Sequence, residues 1–331
     1  MTPIHDRHIV APAAWRVADI GGKQGLVRAL RDEESAAIRE RIEATRHLPV
    51  TTISRAAFDH PTIRALMAEV RASLLDGRGA IVLQRFDVER YGQEDYERAY
   101  WGLGTHLGRA ASQSKHLDKL GYVEVAHSDT PRGYRSDREL LPHTDFHEVM
   151  SLASVRNAES GGVSGLTSGL SVHNVIREER PDLLPALYEG FNYALVEGEV
   201  ELPHHISEHK VPVFSEVDGQ VSVMHNAFFI RTAARRLDQP LTPLFEEALD
   251  FFKQVSLRND LLLRFMLEPG EMLFWHNFTQ LHSKTEFRDS PRNKRRLLRL
   301  LLNIDHGRPV VPELAARVEQ VDFDRALEPA A

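Results

Sequence analysis

Two kinds of apolar spacing divide the chain. Helical spacing dominates its first part: from Asp32 to about Leu48, Ile38 and Ile42 fall on one face. Pro61 opens a second helix, at a position where its missing N–H costs little. Ile63, Leu66, Met67, Val70 and Leu74 form that helix's apolar stripe, and Asp76-Gly77 ends it. A third helix is predicted from Gln93 to Leu107, closed by Gly108. Between the second and third, Gly79-Ala80-Ile81-Val82-Leu83 reads as a short strand. Residues 1–30 carry no periodicity and break at Gly21-Gly22.

Periodicity then disappears from about Ala111 to Leu141, a polar stretch carrying Arg132-Gly133-Tyr134-Arg135. A connection this long with no structure of its own is commonly a lid or a binding loop, so Tyr134 and Arg135 are candidate substrate contacts. After it come short apolar runs. Val149–Val155 is one. Val211–Phe214 and Val221–Met224 flank Asp218-Gly219, a strong hairpin signal. Leu261–Leu267 and Met272–Trp275 flank Pro269-Gly270 and predict a second hairpin. Arg295–Ile304 is one long strand. Helices interrupt these runs at Ser171, with a restart after Pro181, and from Thr242 to about Leu257, where Leu244, Phe245, Ala248, Leu249 and Phe252 point inward. From Pro309 the chain reads as a tail with one short helix. Many short strands behind a helical N-terminal part predict a mainly β fold, a sandwich or jelly roll carrying helices. No strict strand–helix alternation supports a doubly wound sheet. The expected organisation is one domain over 1–331, with a helical extension at 1–75, a core at 76–305 containing the lid at 111–141, and a tail at 306–331.

Composition narrows the chemistry. The 331 residues hold 41 Lys+Arg and 48 Asp+Glu, a net charge of −7 that offers no general attraction to nucleic acid or an anionic membrane. There is no cysteine, so disulfides, thiolate metal sites and cysteine nucleophiles are excluded. Any metal must use carboxylates and some of the 17 histidines. The first residues do not read as a signal peptide, and no apolar stretch is long enough for a membrane span, so a cytoplasmic enzyme is expected. Its expected partner is a small molecule, and self-association into a homo-oligomer is compatible with the chain.

The chemistry centres on Pro142-His143-Thr144-Asp145. On a strand, positions two apart share a face, so His143 and Asp145 would project together. An imidazole and a carboxylate are two-thirds of the facial triad that suits non-haem Fe(II). His147-Glu148 is an internal rival pair, since His147 would share the same face. His282, after the second expected hairpin, is a candidate third ligand. Beyond it lies the basic cluster Arg292, Lys294, Arg295, Arg296 and Arg299. Taken singly, His282 reads as a loop histidine and the cluster as a solvated charge run. Taken in order, a His-x-Asp pair, a distant His and a following Arg are what an iron and 2-oxoglutarate oxygenase needs. The metal requires the triad, and the far carboxylate of 2-oxoglutarate requires a guanidinium fork.

In these features the chain resembles the taurine dioxygenase (TauD/TfdA-like) family of Fe(II)/2-oxoglutarate-dependent oxygenases. The resemblance spans about residues 75–305. It is carried by Arg132-Gly133-Tyr134 leading to His143-Thr144-Asp145, by Gly161-Gly162-Val163-Ser164 and by Ser171-Val172-His173-Asn174. Pro269-Gly270-Glu271-Met272-Leu273-Phe274, Asn277, His282 and Arg295-Arg296-Leu297-Leu298-Arg299 complete it. It implies a double-stranded β-helix with a helical insert, and iron held by His143, Asp145 and His282. It assigns His147, His173, His225 and His276 to supporting roles. It places Arg295 and Ser164 on 2-oxoglutarate, although many relatives have Thr where Ser164 stands. It places Arg299 at the acid group of a substrate, close to the cosubstrate. Met224-His225-Asn226 departs from the arginine that relatives often show there, so the substrate does not carry over.

The expected activity is hydroxylation of an unactivated C–H bond in a small acid-bearing molecule, an amino-acid derivative or natural-product intermediate. Fe(II), 2-oxoglutarate and O2 are required, and succinate and CO2 are released. Desaturation and cyclisation use the same machinery. Two other classes fit parts of the pattern: a zinc hydrolase using the same His/Asp/His set, and a metal-free β-sandwich binding protein.

Overall fold

A computed structural model describes residues 3–113, 117–125, 135–194 and 206–321. The N-terminal part holds α1 (Val17–Ile20), β1 (Val27–Ala29), α2 (Asp32–Thr45), α3 (Pro61–Leu75), β2 (Ala80–Gln84) and α4 (Val88–Leu107). Six short strands follow: β3 (Arg109–Ala110), β4 (Gly121–Val123), β5 (Leu140–His143), β6 (Val149–Arg156), β7 (Ser160–Gly161) and β8 (Ser164–Ser168). An insert contains α5 (Gly169–Glu179), α6 (Leu184–Glu189), β9 (Phe214–Val217), β10 (Gln220–Val223), α7 (Ala227–Leu237) and α8 (Pro243–Ser256). The last strands are β11 (Leu262–Phe265), β12 (Met272–His276), β13 (Gln280–Lys284), β14 (Phe287–Arg288) and β15 (Arg296–Asn303), before α9 (Pro312–Gln320).

The strands form two principal sheets. The larger runs β1-β2-β12-β6-β15-β3, with β4 also on β15, and the smaller runs β11-β8-β13-β5. Their inner faces share a core in which Trp275, Leu273, Val82, Met150 and Leu301 meet Leu166, Leu263 and Phe265. Helices α2–α4 cover the outer face of the larger sheet, where Ile81, Leu83, Phe274, Leu298, Leu300 and Leu302 meet Ile38, Ile63, Val70 and Tyr100. A third core holds the insert, with Val172, Ile176, Phe214, Leu249 and Phe252 buried. The period-2 rule is visible in β15: alternate leucines face the helices, and the residues between them face the opposite sheet.

Local chemistry explains several boundaries. The His60 side chain accepts from Thr62 N–H at 3.2 Å to cap α3, with Pro61 at the first position. Gly92, at φ 76°, interrupts α4 next to the expected start at Gln93. Asp218 and Gly219 both have positive φ, 50° and 78°, and join β9 to β10 as an antiparallel pair.

Four expectations need correction, and one element was not foreseen. Leu261–Leu267 and Met272–Trp275 are not hairpin partners: β11 pairs with β8, and β12 lies between β2 and β6. The Pro269-Gly270 turn carries the chain from one sheet to the other, because each run matches a different apolar surface. Residues 1–30 read as irregular in sequence, yet they supply β1, which pairs in parallel with β2. The first hairpin strand starts at Phe214 rather than Val211. Helix α7 had no forecast; Asn226 caps it by accepting from Phe229 N–H. Leu244 is exposed on α8. Among the described residues no helix is long and apolar enough to cross a membrane.

Candidate active site

His143 ends β5 and His282 lies in β13, directly opposite it in the antiparallel register. Asp145 stands two residues beyond β5, outside the strand, so the shared-face argument ends at His143. The loop nevertheless turns its carboxylate back. Asp145 Oδ1 is 3.8 Å from His143 Nε2, and Oδ2 is 3.9 Å from His282 Nε2. One donor atom from each residue lies within 4.8 Å of the others, a group able to hold a metal ion. His147 does not join it. Its Nδ1 is 3.1 Å from Asn303 Oδ1, and the group of possible metal ligands does not include it. His276 is bonded to Glu148 at 3.0 Å, so the rival pair His147-Glu148 is dispersed.

The loop is held by neighbours. Asn277, fully buried, donates to the carbonyls of Asp145 at 2.6 Å and His147 at 3.0 Å and accepts from Asp145 N–H. Thr144 N–H donates to His225 carbonyl at 2.8 Å, and His225 N–H donates to Thr144 Oγ1. His143 Nδ1 is 2.7 Å from Leu141 carbonyl; that contact fixes the proton on Nδ1 and leaves Nε2 as the lone-pair donor.

Electrostatics match the geometry. Burial raises the Asp145 carboxyl, but the neighbouring His282, His143 and Arg299 outweigh it and hold the group below its ordinary value. Burial, aided by His143 and Arg299, lowers His282 to about 3 against the pull of Asp145. A neutral imidazole and an ionised carboxylate are the ligating forms. Two nitrogens and one oxygen, with no thiolate, suit Fe(II) as the resident metal.

At the other end of the site, Arg295 immediately precedes β15 and is buried, unlike exposed Arg292 and Lys294. Its guanidinium lies 5.1 Å from the Phe287 ring. Burial lowers it to about 10, with Asp289 opposing. Its Nη1 is buried without a hydrogen-bond partner among the described residues. Gly162, at φ 70°, lets the guanidinium approach, since a Cβ there would sit 3.1 Å from Arg295 Nε. Ser164 opens β8 and is buried on the opposing sheet. Arg299 faces inward from β15. Its Nε donates to Gln113 Oε1 at 2.7 Å, and its Nη1 is 4.0 Å from Asp145 Oδ2. Arg135 is half-buried, with Nε lacking a partner, while Tyr134 lies outside the described residues.

Sequence reading missed Gln113 and Lys284. Gln113 holds Arg299 from both sides, because its Nε2 also donates to Arg299 carbonyl at 2.7 Å. It lies in a stretch without periodicity, which left no signal. Lys284 had one, standing two residues past His282 and therefore on its face.

The chain is similar to known proteins. The chain is 26% identical over 327 residues to FR-33289 synthase of Streptomyces rubellomurinus, covering 93% of this chain and 94% of that protein. It is 24% identical over 307 residues to the taurine hydroxylase-like protein SAT17 of Stachybotrys chartarum, covering 87% and 78%. Among solved structures, asparagine oxygenase with Fe(II), 3-hydroxyasparagine and succinate superposes at TM-score 0.65 and 16% identity, over 84% of this chain and 93% of that one. The non-haem iron oxygenase OrfP with Fe and alpha-ketoglutaric acid superposes at 0.63 and 14% identity, over 84% and 94%. The model of the taurine catabolism dioxygenase TauD, TfdA family matches residues 44–301. The chain belongs to that family and is an iron- and 2-oxoglutarate-dependent oxygenase.

Proposed function

We propose that the enzyme hydroxylates an unactivated C–H bond of a small acid-bearing molecule, an amino-acid derivative or natural-product intermediate. In this reading His143, Asp145 and His282 hold the iron, Arg295 and Ser164 hold the far carboxylate of 2-oxoglutarate, and Arg299 faces the substrate's acid group. Iron and 2-oxoglutarate, when bound, supply with O2 the power to oxidise carbon, with release of succinate and CO2. The chain's own residues position and insulate. Asn277 and Thr144 keep Asp145 turned toward the two imidazoles. Trp275, whose ring centroid is 4.9 Å from that of His282, keeps that side apolar and dry. Gln113 fixes the Arg299 guanidinium, so its charge is aimed before substrate arrives.

The observation that carries the reading is a metal-ligand group on the smaller sheet together with a buried, incompletely bonded guanidinium at the start of β15 in the larger one. A zinc hydrolase would use the first and leave the second without a purpose. Solved neighbours carry hydroxyasparagine or L-arginine, small amino acids whose carboxylate is the kind of group Arg299 would hold. Anaerobic titration with Fe(II) and then 2-oxoglutarate tests the first part: a weak visible charge-transfer band is expected only after both. Succinate release across a panel of amino-acid derivatives tests the second. A preferred substrate with no acid group would overturn the role given to Arg299.

A further inference from the structure

Lys284 is a buried cation that the assignments above do not use. It lies at the end of β13 and is 7% exposed. Its Nζ donates to the carbonyls of Ser136 at 2.5 Å and Arg138 at 2.6 Å. An ammonium has three donors, so one N–H remains without a partner among the described residues. The ammonium lies 4.9 Å from the centroid of the Phe287 ring, and the Arg295 guanidinium lies 5.1 Å from the same centroid. Ser164 pairs directly with Lys284 across β8 and β13. Lys284 and Ser164 thus share a face of the smaller sheet, and both cations border the Phe287 ring.

Neither cation forms an ion pair with a carboxylate among the described residues. Asp289 accepts from the backbone N–H of Arg295 at 2.8 Å, not from its guanidinium. Burying two positive charges side by side is costly unless an anion joins them.

We infer that Lys284 donates its third N–H to the carboxylate of 2-oxoglutarate remote from the metal, making with Arg295 a two-cation clamp that selects dicarboxylate over monocarboxylate 2-oxo acids. The inference rests on the proposed function, because it presumes 2-oxoglutarate in that orientation. Two backbone contacts hold the ammonium in place, so the clamp is pre-formed and loses little side-chain freedom on binding.

The test is binding, measured by anaerobic calorimetry on the Fe(II)-loaded full chain, with 2-oxoglutarate and with 2-oxovalerate, which lacks the second carboxylate. Losing a charge-assisted hydrogen bond should weaken 2-oxoglutarate about tenfold to a hundredfold in Lys284→Met. Affinity for 2-oxovalerate should stay within about twofold on the same principle, and Lys284→Arg should recover part of the loss. Equal losses for both ligands would show that Lys284 only pins the backbone at 136–138, and no loss would remove it from the pocket; either result overturns the inference. Lys284→Gln, which can still bond one carbonyl, serves if the methionine variant fails to fold. A wild-type chain that binds Fe(II) but not 2-oxoglutarate would instead sink the proposed function itself.

Discussion

His282 faces His143 because β13 and β5 pair in one register, and each ligand has a distinct support. Removing one leaves two donors, which hold a metal poorly, and the surrounding groups do not substitute. His143→Ala and His282→Ala should lose Fe(II) binding and succinate formation while the far-ultraviolet circular dichroism stays that of the folded chain. His147→Ala should keep iron, since its ring is turned to Asn303; loss of iron in that variant would reinstate the rival pair. Arg295→Lys keeps the charge but loses the planar fork. The 2-oxoglutarate concentration needed for half-maximal turnover should rise by about tenfold or more, from the worth of a charged hydrogen bond, with iron affinity unchanged. Arg299→Ala should weaken substrate and leave 2-oxoglutarate within a few-fold. At this scale much was legible. His143, Asp145 and His282, which the fold brings together, stand in short motifs whose order survives in sequence. Gln113 did not show, because a residue that works by gripping another side chain from an aperiodic loop leaves no pattern.

At the scale of elements, amphipathic helices were the easiest to read and strand partners the hardest. The α3 stripe from Ile63 to Leu74 is buried as its spacing demands. The β12 run is buried on both faces, as a central strand is, and such a run carries no mark of its neighbours. That is why Pro269-Gly270 looked like a hairpin turn and is a crossing between sheets. Helix α2 offers a test of an element junction. Glu34 accepts from the Arg31 N–H at 2.8 Å and pairs with the Arg28 guanidinium of β1. Burial alone would raise the Glu34 carboxyl, but the bonds from Arg28 and Arg31 outweigh it and hold the group below its ordinary value. A depressed carboxyl stabilises the fold fully above its unfolded value, and the contribution is lost as pH falls through the folded value. Glu34→Gln should therefore lower stability by about 2 kcal/mol near neutral pH and flatten the acid limb of the urea-midpoint profile. Equal slopes for both proteins between pH 5 and 3, taken as roughly the carboxylate range, would reject the link.

In the whole molecule, the active site lies between two sheets, with separate cores behind each. The α4 helix packs so closely on the turn before α3 that a Cβ at Gly102 would fall 2.4 Å from the Phe58 ring. Gly102→Ala should destabilise the chain by about 1–3 kcal/mol through overpacking, read as a lower urea midpoint, with Fe(II) affinity preserved in the folded fraction. The pairing of His143 with His282 has a further consequence, for the order in which the enzyme comes into being. The two ligands are 139 positions apart (282 − 143), joined only when β13 closes against β5 and β8. Contacts so distant in sequence are late to form, because the loop between them must first be ordered. During synthesis from the N-terminus, the chain carries His143 and Asp145 long before His282 exists. Two donors on an open loop compete poorly for iron. In the proposed site, metal capture is thereby deferred until β13 has closed against β5, and an unfinished chain does not yet carry the complete ligand set.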